Sequence, residues 1–402
     1  MKKMKKILSL ALALAMGLSL MSGCSKKEEP QQTAEPVAVD LSAITDPVEF
    51  AFGVPSDTVV ATVGETPITA GMLAYWFNYT VATTEQQAYY SAGMTSVDWN
   101  EKLENGSTVA EDLLHSALEL AAYYSLMEEK TAPLGLTPDA SALEELEKNL
   151  AATAEELGSE EKAEHYLWMN MATKEQYSQL LELSTLESQL QQQLFGEGGE
   201  EAPTDAEVLA YATDELGYYG AKHILFVTVD MNAPVYNEDK SLKGFEPLDE
   251  ATVAEKKALA EDVLAQIRAA ADPAAKFDEL MHEHSEDTGL ATNPDGYVAY
   301  PGQMVPEFEQ GAKALKEGEI SGLVESLYGY HILMRIPMDP EQFRASKTAQ
   351  LMDQMAGQWL EESPIQSNDA FAAIAPVETI DKMTALQETI YNELSAQPEN
   401  AG

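Results

Sequence analysis

The 402-residue chain has one cysteine, Cys24, so no disulfide can form within it. Basic residues are scarce: 24 lysines and arginines face 68 aspartates and glutamates, and the formal net charge of −44 repels nucleic acid and anionic lipid. Long apolar runs are also missing. The stretch Ile7 to Met21 is short for a bilayer span, which takes about 20 residues. No Gly-X-Ser-X-Gly elbow, phosphate-loop glycine motif, His-Glu-X-X-His pair or dinucleotide fingerprint is present. His282 and His284 stand two apart on a helical pattern and so point to different faces, which argues against a zinc or calcium site. His115 and His165 lie in helical stretches as surface or packing residues.

What is present begins with an address. Lys2, Lys3, Lys5 and Lys6 precede the apolar run, which ends in Met21-Ser22-Gly23-Cys24. A cationic start and a short apolar run suit a cleaved signal over residues 1–23. Small residues before a cysteine resemble a bacterial lipobox, which implies cleavage before Cys24 and diacylglycerol on its sulfur. The expectation is therefore an extracytoplasmic protein held at the membrane by lipid on Cys24. Loss of the four lysines makes the rest still more acidic, so the tether is the lipid rather than a basic patch. Residues 24–47 are polar, proline-containing and poor in aromatics, and read as a disordered spacer.

Regular structure is expected from Asp57, where Val59, Ala61 and Val63 alternate before a Gly64-Glu65 turn and Thr69 is placed to cap a helix. Helical patterns then dominate residues 48–216. Thr137-Pro138 reads as a helix start, Leu143, Leu146, Leu150 and Leu157 share a stripe, and Gly158 sits at the expected end. Thr173 with Gln176 and Thr204 with Glu207 fit capping boxes, and Leu180, Leu183, Leu190 and Leu194 form a second stripe. Gly196 to Pro203 breaks the helices as a joint. Over residues 339–402, Phe343, Lys347, Leu351, Met355 and Trp359 step by four, and Met383, Leu386, Ile390 and Leu394 mark a last helix.

Between these helical parts, Ala221-Lys222-His223-Ile224-Leu225 and Tyr328-Gly329-Tyr330-His331-Ile332-Leu333 read as strands. Alternation puts His223, Leu225, Val227 and Val229 on one face of the first strand. In the second it groups His331, Leu333 and Arg335, so neighbouring strands would bring two imidazoles together. A Phe277 helix, Ser285-Glu286-Asp287, Gly302-Gln303-Met304-Val305-Pro306-Glu307-Phe308-Glu309 and Leu315 to Ser321 lie between them in that order. This arrangement resembles a parvulin-type peptidyl-prolyl cis/trans isomerase domain over 217–338. Helical segments on both sides resemble the PrsA-like foldases and, more loosely, the SurA-like chaperones.

The resemblance implies an α+β fold: a small antiparallel sheet with surrounding helices, inserted in a mostly helical chaperone domain on which the C-terminal helices pack. It also implies a prolyl isomerase and chaperone for unfolded exported polypeptides containing X-Pro bonds, with a homodimer left open as the assembly. Met304 and Phe308 would form the proline pocket. Asn293 to Val298 replaces the usual Gly-Gly-Asp-Leu-Gly-type loop, leaving Tyr297 or Val298 as a third pocket residue, and Tyr328, counted with the substrate-binding residues, stands where a small residue is common. His223 and His331 match the paired histidines, acting directly or as satisfied core residues. Asp287 matches a cysteine-or-aspartate position, and Ser326 a hydroxyl near the histidines. The loop after His223 lacks an arginine and lysine cluster, so phosphoserine-proline selectivity is not expected. Amide rotation breaks no bond to carbon and needs no metal or cofactor. A holdase whose isomerase-like domain only binds peptide is the alternative function; a solute-binding lipoprotein would need two alternating α/β lobes.

Overall fold

The computed structural model describes residues 37–94 and 96–395. The cationic leader, Cys24 and most of the spacer lie outside the described residues. The end of the spacer is structured rather than disordered: Leu41–Ala43 form a turn capped by Asp40, and Val39, Leu41 and Ile44 pack against a helical core. Three apolar anchors inside a polar composition account for the difference. Asp46 then accepts hydrogen bonds from Val48 and Glu49 and opens the helix Pro47–Phe52.

The described chain divides into two compact units, one built from residues up to Ala202 and from Ala349 onward, the other from Pro203–Thr348. In the first, Thr69 caps a long helix, Ala70–Ala92, whose first half carries the buried Leu73, Trp76 and Phe77. Both predicted capping boxes form, at Thr173 and at Thr204 in the second unit. At Thr137-Pro138 the cap is instead Asp139, whose carboxylate accepts the Ser141 N–H at 2.9 Å, so the helix is Ala140–Leu157. An anionic cap suits the positive end of a helix better than a threonine two residues further out. Strand Ile365–Ser367 pairs antiparallel with Val59–Val63, and Met383, Leu386 and Ile390 of the last helix join the same core. Among the described residues no helix is long and apolar enough to cross a membrane.

This core contains an acid. The Glu187 carboxyl accepts the hydroxyls of Tyr124 at 2.5 Å and Tyr123 at 3.1 Å, and Tyr124 stacks on Trp76. Burial pushes the Glu187 pKa up, the tyrosine hydroxyls oppose this, and Asp353 adds to the rise. A carboxyl raised in the folded state binds its proton more tightly there, so its contribution is present below the unfolded pKa and is lost as pH rises through the folded one. Glu187→Gln is therefore expected to melt above the wild type at about pH 8, with the gap closing near pH ~4; thermal unfolding followed by tryptophan fluorescence checks it.

In the second unit, with elements numbered along that unit, β1 (Tyr219–Val227) and β6 (Gly329–Ile336) pair antiparallel at the centre of a four-stranded sheet. β4 (Tyr297–Ala299) lies outside β1, and β5 (Ile320–Ser326) outside β6. One face, with Ile224, Phe226, Ile332 and Met334, packs on helices α1 (Glu250–Ala269) and α2 (Pro273–His284) through Val263, Ile267, Phe277 and Leu280. The other, with Tyr219, Ala221 and Leu333, is covered by Phe308 and Ala312 of α3 (Pro306–Lys313). Strands covered on both faces read as nearly continuous apolar runs, which is how β1 and β6 look. Gly329 has φ +142°, and a Cβ there would lie 2.1 Å from the Phe226 carbonyl oxygen, so only glycine lets β6 open against the end of β1.

Val229 does not continue β1. It begins β2 (Val229–Tyr236), which forms a separate two-stranded hairpin with β3 (Leu242–Pro247). The unit also extends past 217–338, because Val208 and Ala212 share a cluster with Met338 and Phe343. Arg344 closes both ends with hydrogen bonds to the Pro203 carbonyl at 2.9 Å and Asp205 at 2.6 Å.

Candidate functional site

In the β1–β6 register His223 lies opposite Leu333, and Leu225 opposite His331. The two histidines are thus diagonal neighbours on one face, within reach for long side chains. Their Nδ1 atoms are 3.1 Å apart and the rings nearly parallel, with centroids at 5.3 Å. Ser326, paired with Gly329 at the end of β5, places its Oγ 2.7 Å from His331 Nε2 and accepts the Tyr328 N–H at 3.2 Å.

Asp287 reaches the histidines because its neighbours occupy the free edge of β1. β4 pairs only with Tyr219, Gly220 and Ala221. Further along, Leu225 N–H donates to Ser285 Oγ at 3.2 Å, Glu286 N–H to the Leu225 carbonyl at 2.8 Å, and Val227 N–H to Glu286 Oε2 at 2.7 Å. Lys256 of α1 pairs with the other oxygen of Glu286. The end of α2 is fastened to the sheet in this way, and Asp287 Oδ2 comes to 2.9 Å from His223 Nε2. Oδ2 also accepts the Tyr297 hydroxyl at 2.5 Å, while Oδ1 accepts the Gly289 N–H at 2.9 Å.

These contacts fix the protons. The hydrogen bond from His223, joined by those from Tyr297 and Gly289, holds the Asp287 carboxyl well below the usual range against the effect of burial. An ionised carboxylate only accepts, so His223 Nε2 carries a proton. Its Nδ1 faces His331 Nδ1 at 3.1 Å, and one proton lies between them. Burial, then the charge of His223, pushes His331 down to about 3, so its ring is neutral at pH ~7 and shares a hydrogen bond with Ser326 through Nε2. The hydrogen bonds run unbroken from the Tyr328 N–H through Ser326, His331 and His223 to the Asp287 carboxylate. Bonds linked in a chain polarise one another.

Phe308 lies edge-on to both imidazoles, with centroids 5.1 Å from His223 and 5.8 Å from His331. Met304 and Val305 pack partly buried on the same cluster. Six sequence candidates therefore meet: His223, Asp287, Ser326, His331, Phe308 and Met304. Val298 does not join them. It packs with Val208, Ala212, Met338 and Phe343, since alternation in β4 turns Tyr297 toward the histidines and its neighbour away. Tyr328 contributes its backbone N–H, while its ring lies tilted against Phe245 of the hairpin at 5.6 Å and not beside Phe308. Of the other histidines, His115 holds its own helix through the Glu111 carbonyl, and His165 is buried and bonded to Glu393 at 2.7 Å.

Sequence reasoning missed the hairpin, the edge role of Ser285 and Glu286, and the bond from Tyr297 to Asp287. The hairpin had a signal: β-prone segments flank the polar turn residues Asn237 to Ser241. The other two had none, because they depend on which edge of β1 stays open.

Residues 223–337 match the family described as Rotamase: PPIC-type PPIASE domain. The chain is 44% identical over 82 residues to a protein named chaperone SurA of Nitrosospira multiformis, covering 19% of this chain and 18% of that protein. It is 42% identical over 69 residues to foldase protein PrsA of Geobacillus kaustophilus, covering 17% and 25%. These matches span about a fifth and a quarter of those relatives' length. A crystal structure of the peptidylprolyl isomerase PrsA from Bacillus cereus is similar at 18% identity and TM-score 0.29, over 74% of this chain and 99% of that one. The stretch that holds the paired histidines is a PPIC-type, parvulin-like peptidyl-prolyl isomerase domain of the rotamase family.

Proposed function

We propose that the protein is a lipid-anchored extracytoplasmic foldase that accelerates X-Pro isomerisation in unfolded exported polypeptides and shelters them meanwhile. The observation that carries the isomerase part is the hydrogen-bonded chain beneath Phe308: a carboxylate at one end, two imidazoles in the middle, a hydroxyl at the other. Rotation about an X-Pro bond faces roughly 18–20 kcal/mol, most of it lost amide resonance. A planar amide carries partial negative charge on oxygen and positive on nitrogen; the twisted one carries less of both. A site that holds the proline ring in an apolar pocket, offers the uncharged His331 ring beneath it and keeps an anion nearby disfavours the planar form more than the twisted one. Only that difference speeds the reaction.

The test is a protease-free isomerisation assay on the purified protein with peptides that vary the residue before proline. Asp287→Ala leaves the His223 N–H without its charged acceptor and is expected to lower kcat/KM by about 10–100-fold, with suppression of client aggregation unchanged. Loss of both together from a folded variant would sink the two-function reading. A holdase that binds peptide without turnover is the second reading, favoured by the exposed Tyr89, Tyr90 and Met94 around the end of helix Ala70–Ala92. It takes over if the folded wild type gives no acceleration. Lipid on Cys24 is read separately, from the mass of the N-terminal peptide of the membrane-bound protein.

A further inference from the structure

Tyr297 is bound to the end of the proton chain by a contact that a pocket wall does not require. Its hydroxyl donates to the same oxygen, Asp287 Oδ2, that receives the His223 N–H. A residue lining a proline pocket would present ring carbons, and phenylalanine would serve as well. The ring instead lies edge-on to His223 at 5.8 Å, with its oxygen on the carboxylate.

The backbone on the far side of Asp287 is shaped around this hydroxyl. Asp287 caps the short turn Thr288–Ala291, and its Oδ1 accepts the Gly289 N–H. A Cβ at Gly289 would lie 2.3 Å from the Tyr297 oxygen and 3.3 Å from Asp287 Oδ1. Gly289 does not have a positive φ, so glycine is not required there by the backbone. The demand for it comes from the tyrosine oxygen. Two residues from separate segments thus fit one another across the carboxylate: a tyrosine on β4 and a glycine after α2.

We infer that Tyr297 is a positioning residue for the isomerase reaction: it holds the Asp287 carboxylate ionised and aimed at His223, and Gly289 is the gap that admits it. This rests on the isomerase reading above and adds to it the residue that governs the pH range of the site. The titratable groups facing Asp287 are His223 from β1 and Tyr297 from β4, with His331 from β6 behind His223. With the hydroxyl gone, Oδ2 keeps one donor and Oδ1 one. The carboxyl then turns and protonates more readily, and a protonated Asp287 no longer dictates the His223 tautomer.

The experiment is the pH profile of kcat/KM for wild type and Tyr297→Phe in the full protein, with thermal melts of both. Tyr297→Phe removes one oxygen and keeps the ring, so a pocket wall would be preserved. The expected result is an acid limb displaced toward neutral pH by about one pH unit, a roughly tenfold lower kcat at a pH on the falling acid limb of the wild type, and a KM changed less than about twofold. Gly289→Ala, which displaces the hydroxyl while leaving it present, should give the same profile. It also keeps the inference testable if Tyr297→Phe fails to fold. Unchanged profiles in an active wild-type background overturn the positioning role, as does a loss confined to KM. An inactive but folded wild type instead overturns the isomerase reading itself, and the imidazole ¹⁵N shifts of His223 then decide on Tyr297: altered tautomer populations in Tyr297→Phe support the positioning role and unaltered ones refute it.

Discussion

Phe308→Ala is expected to destabilise the isomerase unit by about 3–5 kcal/mol, in addition to removing its activity. The ring is 2% exposed and packs with Tyr219, Ala221, Ala299, Ala312 and Leu333, so truncation leaves a cavity in the cluster beneath α3. The cavity would open beside both imidazoles, because the ring lies edge-on to each. Water entering it would relieve the burial that keeps His331 neutral, and the proton arrangement of the site would fail with the packing. Loss of activity in this variant therefore does not by itself identify a pocket wall. Phe308→Leu, which fills most of the volume, is the informative partner: about 1–2 kcal/mol of stability lost, with kcat/KM reporting the shape of the pocket. Urea melts of both variants give the comparison through a shift in midpoint at unchanged slope. A cost below about 1 kcal/mol for Phe308→Ala would mean that α3 collapses onto the sheet, and that the ring is a replaceable lid.

The legible parts of this fold are those that local chemistry decides. Thr69, Thr173 and Thr204 are caps because a hydroxyl three residues ahead of a backbone N–H has a short-range reason to bind it. His223 and His331 could be placed on matching faces from alternation alone, and their meeting needed only that β1 and β6 be neighbours. Pairwise facts that depend on an edge or a register were hidden. Val298 and Tyr297 are adjacent in sequence, and which of them faces the histidines is set by the pairing of Ala221 with Tyr297 across β1 and β4. Tyr328, a substrate-binding candidate from the sequence, brings only its backbone N–H to the site. Its ring goes elsewhere because the hairpin, absent from the sequence reading, supplies Phe245 as a partner. Val39, Leu41 and Ile44 were concealed by the polar residues around them, for composition averages over a window while packing selects single side chains.

The isomerase unit should also lose stability in acid well before its carboxylates titrate, and His331 is the cause. Its pKa is pushed from the ordinary 6.5 down to about 3 by burial first and by His223 second, with Asp287 opposing. The folded state therefore refuses a proton that the unfolded chain accepts. Between the two values the unfolded state binds more protons, so stability rises with pH there and is lost as pH falls from about 6.5 toward 3, at up to ~1.4 kcal/mol per pH unit. Over that window the loss attributable to His331 amounts to about 4 kcal/mol, a large part of the 5–15 kcal/mol typical of a domain. Asp287 acts in the same direction but lower. Its folded pKa is depressed, so its contribution is present above the ordinary carboxylate value and is lost only as pH falls below about 4. The two are separable by window, and His331→Gln should flatten the upper one while Asp287→Asn leaves it in place. Tryptophan fluorescence is the wrong reporter, because all four tryptophans, at 76, 99, 168 and 359, belong to the helical unit. Urea melts followed through the histidine ring resonances of His223 and His331 at a series of pH values report the correct unit. A midpoint flat between about pH 6.5 and 4 would mean that His331 is hydrated and takes up its proton in place, which would remove the neutral floor on which the twisted amide depends.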